Sequence, residues 1–163
     1  MNYHNITKCD MLNGEGLRVV LWVSHCPHAC VGCHNEQTHA ADSGICFDAA
    51  AKEELMQELG KSYTSGITFS GGDPLSVVNR AEVLALATAC KTQFPTKSIW
   101  LYSGYTWVVV QHIPGIELID VVVDGPYVAS LQDNTLRYRG SANQRVIDVN
   151  ASLAQGVCID YLS

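Results

Sequence analysis

A chain of 163 residues, 47% hydrophobic and 16% charged, has enough apolar material for one core and too little length for two ordinary domains. Its formal net charge of −6, from 10 Lys and Arg against 16 Asp and Glu, excludes the basic surface that phosphate-backbone binding needs, so nucleic acid is not an expected partner. The start MNYHNITKCDMLNGEG lacks both the basic and the apolar parts of a signal peptide, and no run reaches the roughly 20 apolar residues of a membrane span, so a cytoplasmic chain with no membrane partner is expected.

The first strand is predicted at Arg18 to Ser24, and a cysteine-bearing loop follows it. A helix is expected from Asp48, an N-cap residue, to Leu59, with Leu55 and Leu59 at helical spacing and Gly60 as the stop. Gly66 to Ser70 reads as a strand running into Gly71-Gly72-Asp73-Pro74. Ser76 or Asn79 starts the next helix, whose apolar positions Val83, Leu84, Ala87 and Cys90 continue to Phe94 before Pro95. Ile99 to Tyr102 is a third strand, ending in Ser103-Gly104-Tyr105. Ile119 to Val123 is a fourth, continuously apolar as a strand buried on both faces is, and ends in Asp124-Gly125-Pro126-Tyr127. Val146 to Val149 closes the series, and the tail beyond about residue 150 is left unassigned.

Strands alternating with helices imply an α/β fold with a mainly parallel sheet. Four or five strands cannot complete an eight-stranded barrel, so the expectation is one domain over 1–163, an open partial (β/α) barrel with one side left for a large partner. Each strand ends in a loop rich in Gly and polar residues. Ligands of parallel α/β folds gather at the carboxyl ends of strands, so these loops should form one rim.

Of the chain's 7 cysteines, Cys9, Cys46, Cys90 and Cys158 are isolated and read as buried small hydrophobes or incidental surface thiols, with Cys90 suited to a helix core. Cys26, Cys30 and Cys33 instead form CxxxCxxC within HCPHACVGCHN. Three thiolates are one short of the four ligands that usually hold structural zinc or an iron–sulfur cluster, so an open metal position is expected. By spacing alone an iron–sulfur cluster leads. Zinc stays open because His25, His28, His34 and His39 lie close by, although no second CxxC knuckle exists, and a redox dithiol at Cys30-Val31-Gly32-Cys33 trails both. Gly14 and Gly16 make only a partial GxG with no strand before it, which leaves a dinucleotide site unsupported.

The string Asn13-Gly14-Glu15-Gly16-Leu17-Arg18, then a hydrophobic strand, then CxxxCxxC running on as His34-Asn35, resembles the radical S-adenosylmethionine enzymes that activate glycyl radical enzymes. Ile67 to Leu75, a strand ending in Gly-Gly-acid-Pro, resembles that family's second motif. Within the family, the short length, Asp73 in place of the more usual Glu, and the segments Trp100 to Tyr105, Val123 to Tyr127 and Arg139 to Arg145 are most similar to the activators of anaerobic (class III) ribonucleotide reductase. Pyruvate formate-lyase activating enzymes are similar around the cysteines but longer. A small zinc-binding adaptor is the reading from another class.

The resemblance implies that Cys26, Cys30 and Cys33 bind a [4Fe-4S] cluster whose fourth iron takes S-adenosylmethionine. It also implies that Gly71, Gly72 and Asp73 receive the amino-acid end of that molecule and that Gly32, Cys33 and His34 lie by its adenine. Gly32 stands where many members carry an aromatic residue, and His34 where the reductase activators often carry Tyr. Ser103 and Asp124 are candidates for the ribose or carboxylate. A flavodoxin or ferredoxin would reduce the cluster, and the radical released from S-adenosylmethionine would take hydrogen from a glycine of the reductase large subunit. No general acid or base is required beyond the cofactors. Arg18 and Arg145 are candidates to face an anionic group but are expected at the solvated surface, as most arginines are, while Tyr102, Trp107 and Tyr127 are partner contacts or core, with core the favoured reading.

Overall fold

The computed structural model describes residues 1–163. Its elements are β1 (Asn2–Asp10), β2 (Arg18–Val23), β3 (Ile45–Cys46), α1 (Ala49–Leu59), β4 (Gly66–Gly71), α2 (Arg80–Gln93), β5 (Ser98–Tyr102), α3 (Trp107–Val110), β6 (Val121–Asp124), β7 (Arg145–Asp148) and α4 (Val149–Gln155). The strands form one open seven-stranded sheet in the order β3-β1-β2-β4-β5-β6-β7. No helix is long and apolar enough to cross a membrane.

The expectation of a mainly parallel sheet is corrected: β2-β4, β4-β5 and β5-β6 pair in parallel, whereas β1-β2, β1-β3 and β6-β7 are antiparallel. The connections decide this. A parallel crossover needs a dozen or more residues, normally a helix, and α1 and α2 supply it before β4 and β5. The turn from Asp10 to Arg18 is too short to cross over, so β1 and β2 run antiparallel. The strand β1 was absent from the sequence reading because its apolar residues do not alternate. A register shift between Tyr3 and Asn5 puts Tyr3 and Ile6, three apart, on one buried face.

The helices cover one face. Leu55 and Leu59 of α1 and Val83, Leu86, Ala87 and Cys90 of α2 pack there with Val19, Leu21, Ile67, Phe69, Ile99, Leu101 and Val122. The sequence-level cap holds, since the Asp48 side chain accepts a hydrogen bond from the Ala51 amide at 2.9 Å. On the other face Trp100, Val121, Val123 and Val146 form a smaller apolar cluster, flanked by Tyr102, Tyr138, Tyr161 and Leu162. This face carries no long helix and is therefore free to hold a cavity.

Candidate functional site

A cavity of about 450 Å³ opens at the carboxyl ends of the parallel strands. Cys26, Cys30, Cys33 and His34 line it from the loop after β2, Gly71 and Gly72 from the end of β4, Ser103 and Gly104 from the end of β5, and Gly125 and Tyr127 from the end of β6. The four strand-end loops thus form the single rim expected of them. Tyr138, Arg139 and Gln144, from the segment between β6 and β7, supply a further wall.

The cysteine loop is held from both sides. On one side the Cys26 amide donates to the His39 carbonyl at 3.1 Å. On the other, the Gly72 amide donates to the Val23 carbonyl and the Asp73 amide to the His25 carbonyl, each at 2.7 Å. The buried Asn79 amide group bridges the Ser24 carbonyl at 2.7 Å and the Asp73 carbonyl at 3.0 Å. Asn79 does precede α2, as expected, but its side chain makes these ties instead of capping the helix. A β-carbon on Gly72 would run into the His25 carbonyl, and one on Gly71, whose φ is +99°, would meet the Val23 backbone. The glycine pair therefore lets two loops pack backbone to backbone while it also lines the cavity.

Burial pushes the Cys26 thiol pKa up, opposed by the nearby backbone amides of His28 and Ala29. The Asn35 amide lies 3.4 Å from the Cys33 sulfur. No three His, Cys, Asp or Glu side chains, Cys26, Cys30 and Cys33 included, are gathered closely enough to hold a single metal ion. Cys90 is buried in the helix-side core, as expected, and Cys9, Cys46 and Cys158 are exposed; none of these lines the cavity.

Other predicted residues separate into wall and scaffold. Cys33, His34 and Ser103 line the cavity, and the His34 ring is tilted against Tyr127 with centroids 5.3 Å apart. Gly32 lies just outside, beside Tyr127 and Ala129. Asp73 and Asp124 do not line the cavity, and both are 1% exposed. The Asp73 carboxylate is already occupied: it accepts from the Leu75 amide at 2.8 Å, the Ser103 hydroxyl at 3.0 Å and the Gly104 amide at 3.1 Å, and lies 2.7 Å from His28 Nε2. Asp124 accepts from the Trp107 amide at 2.6 Å and from Arg145 Nε at 3.0 Å, which ties β7 to the rim and holds the Arg145 pKa up. Arg145 is exposed, as expected, and its guanidinium also straps β7 to the rim. The sequence reading gave no site role to Tyr138, Arg139 or Gln144. Their only signal was the polar, arginine-bearing run from Leu131 to Arg145.

Residues 12–147 match the family model described as a 4Fe-4S single cluster domain. The chain is 43% identical over 146 residues to the anaerobic ribonucleoside-triphosphate reductase-activating protein of Enterobacteria phage T4, covering 90% of this chain and 93% of that one. It is 38% identical over 150 residues to the protein of that name from Escherichia coli strain K12, covering 90% and 97%. The Vibrio cholerae protein of the same name is 38% identical over 148 residues, covering 88% and 96%. With that coverage, and with the cysteine motif inside the matched region, the chain belongs to the family of anaerobic ribonucleoside-triphosphate reductase-activating proteins, built on a 4Fe-4S single cluster domain.

Proposed function

We propose that this chain is a radical-generating activase. Cys26, Cys30 and Cys33 would hold a [4Fe-4S] cluster by three thiolates, leaving one iron for S-adenosylmethionine, and the outcome would be a glycyl radical on the large subunit of an anaerobic ribonucleoside-triphosphate reductase. One observation carries this reading: three thiols of a single loop share a cavity with the glycine pair of another, and none of the other four cysteines lines it. The donor set suits the cluster because thiolates are its usual ligands and only three are at hand.

When bound, the cluster and S-adenosylmethionine supply an electron and a deoxyadenosyl radical, so the difficult chemistry is the cofactors' own. The polypeptide binds, orients and excludes water. Gly71 and Gly72 present bare backbone to the methionine end, and Ser103 stands beside them on the wall. His34 and Tyr127 offer ring surfaces for the adenine, with Gly32 behind Tyr127. Asp73 and Asp124 serve the site by holding its loops together. We read residues 1–163 as one domain, curved as a partial (β/α) barrel whose uncovered side the reductase closes. A flavodoxin or ferredoxin in the cytoplasm would deliver the electron.

The test is to mix the anaerobically reconstituted chain, reductant, S-adenosylmethionine and either the reductase or a pyruvate formate-lyase, and to record electron paramagnetic resonance spectra. A glycyl doublet is expected with the reductase and not with the lyase. Cys30→Ala should abolish S-adenosylmethionine cleavage. A colourless, zinc-loaded protein after iron and sulfide reconstitution, or undiminished cleavage by Cys30→Ala, would refute the assignment.

A further inference from the structure

We infer that His28 is a positioning residue: locked in a slot made by Asp73, Gly104 and Tyr105, it holds the shape of the turn between Cys26 and Cys30 and so sets the reduction potential of the cluster. This rests on the three-cysteine reading given above.

The slot is built on three sides. The His28 Nε2 lies 2.7 Å from Asp73 Oδ2, and Asp73 is fixed by the Leu75 amide, the Ser103 hydroxyl and the Gly104 amide. The ring stands edge-on to Tyr105, with centroids 4.6 Å apart at 78°. Gly104 forms the third side, because any β-carbon there would occupy the space of the imidazole. Asp73, the turn's carboxylate, and Ser103-Gly104-Tyr105, at the end of β5, are thus used together on one residue of the cysteine loop.

His28 lies midway between Cys26 and Cys30, so the ring anchors the turn that carries both thiols, and the amides of His28 and Ala29 lie on the Cys26 side of it. Ala29 has φ +45°, a left-handed conformation that a residue with a β-carbon adopts at a cost. Such a turn keeps its shape only when something outside it holds it, and the anchored ring is that hold. Hydrogen bonds to cluster sulfurs and solvent access are among the factors that set cluster potentials. Amides drifting away from the Cys26 sulfur leave more negative charge there and make the cluster harder to reduce.

The full chain and its His28→Ala, His28→Gln and Gly104→Ala variants should be reconstituted with iron and sulfide, and the one-electron reduction of each followed by potentiometric titration with electron paramagnetic resonance. Iron content is expected to match in all four. The midpoint should move to more negative values and the reduced signal should broaden in His28→Ala and in Gly104→Ala, where the ring is displaced but still present. Gln retains a donor of similar reach and should return the midpoint toward that of the unaltered chain. Midpoints and line shapes that coincide in all variants would overturn the inference, as would iron loss in His28→Ala that His28→Gln does not restore. If the unaltered chain takes up no cluster, the cysteine assignment itself fails, which is a separate outcome.

Discussion

Arg18 is fully buried and meets no carboxylate, yet every one of its five N–H donors is used. Nε donates to the Thr68 hydroxyl at 2.7 Å, Nη1 to the Glu15 carbonyl at 3.0 Å and the Ser98 hydroxyl at 2.9 Å, and Nη2 to the carbonyls of Ile67 at 2.6 Å and Ser98 at 3.0 Å. Trp100 lies 5.5 Å from the guanidinium carbon, and burial holds the Arg18 pKa down at about 10. Arg18, Gly66 and Ser98 each begin a strand, so one side chain staples three strand starts at the end of the sheet away from the cysteines. The solvated surface expected for Arg18 is thereby corrected. Lysine brings three donors where five acceptors wait, so Arg18→Lys should cost about 2–4 kcal/mol in denaturant unfolding. An unchanged midpoint would remove the staple. Cys90 offers a pH test, because burial raises its thiol pKa from the ordinary 9.0 to about 11. The native state then keeps a proton that the unfolded chain has lost. Cys90 stability is therefore complete below pH 9 and is lost as pH rises through about 11, by at most about 2–3 kcal/mol. Unfolding curves between pH 8 and 11 should fall less steeply for Cys90→Ala than for the unaltered chain.

At the scale of elements, the turn after β4 acts as a bracket for the cysteine loop. Its two amides, its Asp73 side chain and Asn79 beyond it all grip residues 23–28. A methyl group on Gly72 would press on the His25 carbonyl, and backbone cannot swing aside as a flexible side chain can. Gly72→Ala should thus lower iron uptake on anaerobic reconstitution and cost about 1–3 kcal/mol of stability. Full iron loading with native stability would show that the loops do not depend on this contact. The strand segments were legible wherever both sides are buried: β6 is apolar from Val121 to Val123, and β4 and β5 alternate between helix core and cavity face. The strand β1 was not, since its register shift breaks the period on which such readings depend.

Across the whole molecule, the helix-free face is closed at its lower end by the chain's own terminus. Tyr161 stacks edge-on to Trp100 at 5.2 Å, its hydroxyl donates to Glu15 at 2.6 Å, and its amide donates to the Val146 carbonyl at 2.8 Å. That hydrogen bond to Glu15 is also the first cause of a Tyr161 pKa raised to about 12. Residues beyond 150, which the sequence left unassigned, fold as α4 and then as this plug. Deleting residues 157–163 should lower the melting temperature by roughly 5–10 °C, because an indole and a tyrosine face lose their cover. Iron uptake should survive, since the plug touches none of the cavity's cysteines. A melting temperature unaffected by the deletion would show the plug to be energetically idle.

The amino-acid sequence by itself determined the alternation of strands and helices, the caps of α1, the core position of Cys90 and the cysteine spacing, because each depends on neighbours a few residues away. Only the tertiary structure decided that β1 and β7 run against the parallel strands, that Arg18 is buried, and that Asp73 and Asp124 brace the cavity from outside it. Those outcomes depend on which distant groups meet. A carboxylate in a turn carries no mark of whether a ligand or an imidazole forty-five residues away will claim it.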